Sequence, residues 1–129
     1  MDANPVEELL QAWDGSYKKG LLTFWILLLL HERESYAFEM CQRVSETSQG
    51  TVTADENSIY RALNRFEGLG ILASDWRDSD LGPPRRYYHL TNVGLDLLRA
   101  FILRNILLFQ SDPVAERIRA VLDHAPEAS

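Results

Sequence analysis

The sequence has little cysteine, no long apolar run and no excess of positive charge. Its one cysteine, Cys41, cannot form an intrachain disulfide, which fits a reducing cytoplasm. The most apolar stretch covers residues 21–30, whereas a membrane-spanning helix needs about 20 residues. The net charge of −6 argues against a non-specific nucleic-acid coat, although a local cluster of cations can still contact DNA. We therefore expect a cytoplasmic protein that does not enter the membrane.

A chain of 129 residues can form one domain with a hydrophobic core but is too short for two ordinary domains. The predicted fold is mainly α with a small β-hairpin. We divide it into an N-terminal helical extension (residues 1–15), a winged helix-turn-helix DNA-binding domain (residues 16–91), and a C-terminal dimerisation helix with a short tail helix (residues 92–123). Gly15 and Ser16 are predicted to end the first helix, and a second helix then runs to about His31 or Glu32.

The helix that follows residue 56 is the most informative element of the sequence. Thr53 and Glu56 have the spacing of a capping box, which predicts its start. Helical periodicity places an apolar stripe towards the core, formed by Ile59, Ala62, Leu63, Phe66 and Leu69. The outward stripe consists of Asn57, Ser58, Arg61, Asn64 and Arg65. Arginine, asparagine and serine are side chains that contact bases and phosphates, so this stripe is a candidate DNA-contacting surface.

The preceding helix is predicted to begin at a Ser35 cap and to end near Ser48. Its apolar face would carry Met40, Cys41 and Val44, and Arg43 would lie on the opposite, polar face.

Two strand-like segments after the central helix indicate a hairpin. They cover residues 71–76 and 85–90, and a polar loop with two prolines separates them at residues 78–84. A helix followed by such a hairpin is the order of elements in a winged-helix DNA reader. Residues 53–91 carry five basic and six acidic side chains, so a positive DNA-binding face must come from geometry rather than composition.

The predicted partner of this surface is double-stranded DNA. We assign base reading to Asn57, Ser58 and Arg61, with Asn64 on the same outward arc. Phosphate contacts are assigned to Tyr60, Arg65, Arg85 and Arg86, because the last two sit beside the hairpin loop.

The last long helix is predicted to start at a Thr91 cap and to continue to about Phe109. Residues 101–109 are apolar nearly all round, and a helix of that kind must be buried on every side. A domain of this size covers only one side, so we expect a homodimer. The predicted interface residues are Leu98, Phe101, Ile102, Ile106 and Phe109. Residues 111–113 interrupt this helix, and residues 114–122 are predicted to form one more short helix.

The chain resembles the PadR family of winged-helix transcriptional regulators over about residues 17–109. The similarity rests on the segments Ser-Tyr-Ala-Phe-Glu-Met at residues 35–40, Ser-Ile-Tyr at residues 58–60, and Arg-Arg-Tyr-Tyr-His-Leu-Thr at residues 85–91, with Gly94 after them. Two positions depart from the usual pattern. Ala37 replaces a glycine, and Arg61 replaces a proline, which places a new cation at a position expected to contact DNA.

The resemblance implies a homodimeric repressor of the short subfamily, in which the first and last helices form the dimer interface. It also implies a palindromic promoter site. Short members of the family bind phenolic acids or drugs, so a small-molecule effector is one expectation. The sequence is also similar to a clock-associated member, which would make a circadian clock gene the target.

Other classes of function have less support in the sequence. His31, His89 and His124 are scattered, with no paired nucleophile and base and no clustered ligands, so we expect no enzyme activity, no metal site and no cofactor. One alternative is a ligand-sensing repressor with a dimer cavity lined by Trp13, Trp25 and Trp76. Another is a winged-helix module that binds protein instead of DNA, which the acidic net charge favours slightly.

Overall fold

We describe residues 5–124 of a computed structural model. The helices are α1 (Pro5–Glu32), α2 (Ala37–Thr47), α3 (Glu56–Gly68), α4 (Asn92–Phe101) and α5 (Asp112–Asp123). Between α4 and α5 lie a π-helical turn (Ile102–Ile106) and a 3₁₀ turn (Leu107–Gln110). Strands β1 (Leu72–Ser79) and β2 (Gly82–Leu90) form one antiparallel hairpin after α3. The mainly α fold with a small hairpin is thus confirmed. No helix within residues 5–124 is both long and apolar enough to span a membrane.

Helix α1 runs without a break through Gly15 and Ser16, so the predicted helix end at these residues is wrong. A glycine inside a helix costs only about 1 kcal/mol, because it loses more backbone entropy than alanine. Ending and restarting the helix would leave several backbone groups without partners. The second half of α1 supplies Ile26, Leu27, Leu29 and Leu30 to the core, whereas Leu9, Leu10 and Trp13 in the first half are exposed. The described part of the predicted extension, residues 5–15, is therefore continuous with the helix of the next domain.

Helix α2 is held against the end of α1 by a buried arginine. Its N-cap residue is Tyr36 and not Ser35, and Tyr36 makes no side-chain capping bond. Ser35 is instead fully buried, and it accepts a 2.6 Å hydrogen bond from Nη1 of Arg43. Nη2 of Arg43 donates to the carbonyl of Leu29 at 2.9 Å. The prediction that Arg43 faces solvent is wrong because its guanidinium satisfies backbone carbonyls that the end of α1 leaves open.

Helix α3 begins later than the capping box predicted. Asp55, not Thr53, is the N-cap, and its carboxylate accepts a 2.7 Å hydrogen bond from the backbone N–H of Ser58. This bond lowers the pKa of Asp55, so the cap is anionic at neutral pH. The inward stripe is confirmed for the residues Ile59, Ala62, Leu63 and Phe66. The prediction that Leu69 faces the core is wrong, because the helix ends at Gly68 and this side chain is 66% exposed.

The hairpin is longer than predicted and its turn is tighter. Ser79 pairs with Gly82 across the turn, so Pro83 and Pro84 lie in β2 rather than in a loop. In a two-stranded sheet each strand has one unpaired edge, and a proline that cannot donate a hydrogen bond is tolerated there. Leu72 and Tyr88 are buried and fix the hairpin to the core.

Helix α4 starts at the predicted cap, because the Thr91 hydroxyl accepts a 3.1 Å bond from the backbone N–H of Gly94. The helix ends at Phe101, so the expected single helix to Phe109 is wrong. A π-helical and then a 3₁₀ turn continue the chain to Gln110. Ser111 then precedes α5 with Pro113 in its first turn, which agrees with the predicted interruption and short helix.

Candidate nucleic-acid interface

The outward face of α3 presents three exposed polar side chains, Asn57, Arg61 and Arg65. Arg65 lies over the ring of Phe66 at 5.1 Å, which leaves its guanidinium at the edge of the helix. Tyr60 is 40% exposed on the side of α3 that faces the hairpin. Ser58 is half-buried on the opposite side, next to α1. Five of the six predicted DNA-contacting residues on α3 are thus distributed over its centre and both flanks, and Asn64 is the sixth.

Asn64 belongs to the same helix but is held by the hairpin. Its Oδ1 accepts one hydrogen bond from the hydroxyl of Tyr88 at 2.8 Å and one from Nη1 of Arg86 at 3.1 Å. Hydrogen bonding to Asn64 and Arg86 also lowers the pKa of the neighbouring Tyr60 hydroxyl. Because both lone pairs of the Asn64 carbonyl are occupied, this amide serves first to join α3 to β2.

Arg86 likewise points back towards α3 instead of away from the hairpin. Its guanidinium forms an ion pair with Glu67, and its Nε donates to Ser74 at 2.9 Å. Ser74 in turn donates to the second carboxylate oxygen of Glu67 at 2.7 Å. One polar network therefore joins α3 to the hairpin, and we call it the helix–wing network. It consists of Asn64, Glu67, Ser74, Arg86 and Tyr88.

Arg85 is exposed on the other face of the hairpin. Its guanidinium lies over the ring of Tyr36 at 4.5 Å, and Tyr36 packs edge-on against Tyr87 at 5.4 Å. Arg77 covers the other side of the Tyr87 ring at 4.6 Å. The two arginines predicted to act together, Arg85 and Arg86, therefore occupy opposite faces of the hairpin, since successive strand residues alternate in direction.

Arg77 neutralises an acidic cluster at the base of this face. It forms ion pairs with Glu34 and with Asp75, and its hydrogen bond to Glu34 holds the pKa of that carboxyl below its usual value. The ligand atoms of Glu34, Asp75 and His89 come within 4.8 Å of one another. Carboxylate and imidazole groups are possible metal ligands, but here the guanidinium of Arg77 already occupies both carboxylates.

A group of cations on α1 was not predicted from the sequence. Lys18 and Lys19 line a groove at the start of α3 together with Asp55 and Ser58. An adjoining groove between α1 and α3 is lined by Lys19, Ser58, Arg61, Ala62, Arg65 and Phe66, among others. Lys18 and Lys19 are the only lysines in the chain, and their adjacency in a helix otherwise rich in leucine was the available signal.

The predicted dimer residues fall into two groups. Leu98 is 3% exposed and belongs to the core, and Phe101 packs against Phe24 at 5.8 Å. Ile102 and Ile106 are half-buried, and Phe109 is exposed. Other large apolar side chains are exposed close to them in sequence, namely Leu97, Leu103, Leu107, Leu108, Ile118, Val121 and Leu122.

The three tryptophans proposed for a ligand cavity lie in different parts of the molecule. Trp13 is 75% exposed on the first half of α1, and Trp76 is 65% exposed on the hairpin. Trp25 is half-buried beside Phe24, with their ring centroids 5.6 Å apart. Within one copy of the chain, therefore, these residues do not share a cavity.

Several solved structures with the same fold are PadR family regulators. A PadR family transcriptional regulator from Eggerthella lenta DSM 2243 superposes with a TM-score of 0.71 at 23% identity, covering 95% of this chain and all of that one. A PadR-like transcriptional regulator from Bacillus cereus strain ATCC 14579 gives a TM-score of 0.63 at 28% identity, covering 83% of this chain and 96% of that one. Bacillus subtilis PadR, solved in complex with operator DNA, superposes with a TM-score of 0.61 at 21% identity, covering 66% of this chain and 48% of that one.

The sequence itself gives a direct assignment. The sequence pattern of the Transcriptional regulator PadR-like family matches residues 26–100, which run from the buried part of α1 to the last turn of α4. This range contains α2, α3, the helix–wing network and the hairpin. The chain belongs to the PadR-like family of transcriptional regulators.

Proposed function

We propose that the protein is a sequence-specific DNA-binding repressor that acts as a homodimer on a palindromic promoter site. The observation that carries this proposal is the exposed Asn57–Arg61–Arg65 face of α3, placed beside a hairpin that is hydrogen-bonded to the same helix. Membership of a transcriptional regulator family supports it, as does the shared fold of a relative solved with operator DNA.

The roles of the individual residues follow from their positions on α3. Asn57, Ser58 and Arg61 lie in its first turns, which point deepest into the major groove when a recognition helix docks. We assign base reading to these three residues and phosphate contacts to Tyr60 and Arg65. Arg85 is the hairpin residue best placed for a further phosphate contact, because it is exposed and has no carboxylate partner among the described residues. Asn64 and Arg86, which we also predicted to contact DNA, act in this proposal through the helix–wing network.

The homodimer rests on two exposed apolar surfaces. One is the first half of α1, where Leu9, Leu10, Trp13 and Tyr17 are exposed, and the other follows α4 from Leu103 to Phe109. A monomer seldom leaves so many large apolar side chains in contact with water. A two-fold dimer that covers them would present two copies of α3, and its site would be an imperfect palindrome with half-sites roughly 10 bp apart.

A small-molecule effector is a second part of the proposal. The indole N–H of Trp25 is buried and has no hydrogen-bond partner among residues 5–124. A buried donor without a partner costs about 1–3 kcal/mol, and a bound polar ligand at the dimer interface would satisfy it. The competing function is that of a winged-helix module that binds protein in place of DNA. If the protein binds DNA, a circadian clock gene is one target to test.

The direct experiment is selection of bound fragments from the genome that encodes the protein, followed by gel-shift titration. We expect enrichment of a palindromic sequence near a promoter, binding as a dimer, and competition by that sequence but not by a scrambled one. Binding without any sequence preference, or no binding to any fragment, would contradict the proposal and favour the protein-binding function.

A further inference from the structure

We propose that the phosphate-contacting surface extends from α3 onto α1, where Lys18 and Lys19 lie along one groove with Arg65 and the base-reading Arg61, and that it does not run mainly across the hairpin. We call these four residues the α1–α3 basic groove. The inference rests on the proposed function, since it identifies which cations hold the DNA backbone.

The geometry of the groove comes from two neighbouring depressions on one side of α3. Lys19 and Ser58 line both of them, so the two depressions adjoin. Lys18 lies at the end near the first turn of α3, and Arg65 lies at the other end. The cations therefore follow the length of the recognition helix on the flank opposite to the hairpin.

The charges of the described residues distinguish this flank from the hairpin. Two of the three hairpin arginines are already neutralised, since Arg77 is paired with Glu34 and Asp75, and Arg86 is paired with Glu67. In contrast, Lys19, Arg61 and Arg65 form no ion pair with a carboxylate among residues 5–124. Although the net charge is −6, three cations beside α3 on the α1 side thus have no carboxylate partner among the described residues.

Two carboxylates lie near the α1–α3 basic groove, and neither of them cancels its positive charge. Asp14 approaches Lys18 at 3.8 Å, but the Lys18 side chain is 36% and the Asp14 side chain 45% exposed. A pair with this much contact with water contributes little, and Lys18 can exchange it for a phosphate. Asp55 lines the groove, but it is already bound as the cap of α3. Four cations face two carboxylates, which leaves the groove positive.

The arrangement suits the duplex because a helix in the major groove has a phosphate backbone on each side. The hairpin would meet one backbone, and the α1–α3 basic groove would meet the other. Lysine is a compact and flexible cation that binds phosphate as a point charge without reading sequence. Lys18 and Lys19 would therefore raise affinity for all sequences alike.

The test compares the salt dependence of DNA binding for wild type and for the double variant Lys18→Gln, Lys19→Gln. We expect weaker binding to the selected operator and to a scrambled duplex by the same factor. The slope of log K against log salt should become shallower by about 0.9 for each phosphate that the variant no longer binds. The matched control is Arg99→Gln, Arg119→Gln, which removes the same charge from exposed positions on α4 and α5 and should leave the slope unchanged.

Three results would count against the inference. If the lysine variant keeps the wild-type slope while wild type binds its operator, the groove does not contact phosphate although the proposed function stands. If the slope of the control variant falls equally, only net charge matters. If wild type binds no DNA at all, the proposed function fails and the inference fails with it. Circular dichroism and sedimentation of each variant establish that fold and assembly are unchanged.

Discussion

The Tyr88 hydroxyl donates a 2.8 Å hydrogen bond to Oδ1 of Asn64, and this bond joins the buried centre of β2 to the recognition helix. The same oxygen also accepts from Arg86 at 3.1 Å. Helix α3 and the hairpin are thereby held in one orientation before any DNA is bound. Binding then requires less ordering of the protein, which favours affinity.

Replacing Tyr88 with Phe should change the pH dependence of stability, because burial shifts the pKa of the Tyr88 hydroxyl. Burial raises the pKa of Tyr88 to about 12, whereas a tyrosine in an unfolded chain titrates near 10. Between these values the unfolded chain loses the proton and the folded protein keeps it, so stability should fall as pH rises from about 10 to 12. Urea denaturation at several pH values measures the effect.

In Tyr88→Phe, this contribution to the alkaline loss should disappear, and stability at neutral pH should fall by about 1 kcal/mol because the hydrogen bond is removed. Tyr87→Phe, at the neighbouring half-buried position of β2, is the control and should behave as wild type. An alkaline loss that is equally steep in Tyr88→Phe would show that Tyr88 does not cause it.

Gly94→Ala should destabilise the fold. A Cβ added at this position would lie 2.2 Å from the carbonyl oxygen of Ile71 and 2.8 Å from Cδ1 of Leu90, so the backbone or α4 must shift. Overpacking of this kind costs about 1–3 kcal/mol. Gly15→Ala is the matched control, because nothing lies within 4 Å of its added Cβ. It should stabilise α1 by about 0.5–1 kcal/mol. Thermal unfolding should therefore give a lower midpoint than wild type for Gly94→Ala and a higher one for Gly15→Ala.

Arg61→Ala should weaken binding to the selected operator by about 1–3 kcal/mol and relax the preference at one base pair of each half-site. Arg61 is exposed, so its removal should leave the circular dichroism spectrum and the thermal midpoint unchanged. Fluorescence anisotropy on the operator and on single-base variants gives both readouts. Wild-type affinity in a folded Arg61→Ala dimer would mean that this face of α3 does not read DNA.

Introducing Glu at both Ile102 and Ile106 should prevent the proposed dimer, because two carboxylates would be buried without partners. Both positions are half-buried in the single chain, so part of each side chain is available to a second copy. Sedimentation should show a monomer or an aggregate for this variant and a dimer for wild type at micromolar concentration. A monomeric wild type at that concentration would contradict the dimer directly.

The elements that could be predicted were those with a strong repeating pattern. The buried face of α3, the Thr91 cap and the order of helix and hairpin follow from periodicity and from local hydrogen bonding, both of which act within a few residues. The predicted helix end at Gly15 also came from a local signal. It was wrong because the cooperativity of a 28-residue helix outweighed that signal.

The errors concern side chains whose partners are distant in sequence. Arg43 was predicted to be exposed from its helical position, but its partners are Leu29 and Ser35 at the end of another element. Asn64 and Arg86 are 22 residues apart, and their contact depends on the register of the hairpin against α3. No local pattern specifies such a pair, so this contact could not be predicted from the sequence, and the assignment of both residues to DNA stays a prediction.

The π-helical turn at Ile102–Ile106 affects everything that follows it along the chain. A π-helical hydrogen bond spans one residue more than an α-helical bond. Deleting a single residue there would let α4 continue as an ordinary helix, with each later side chain rotated by about 100° around the axis. The apolar residues after the turn would then point in another direction from the DNA-contacting face. The number of residues in this turn, more than their identity, therefore sets the direction in which the apolar side chains of the proposed dimer surface point relative to α3.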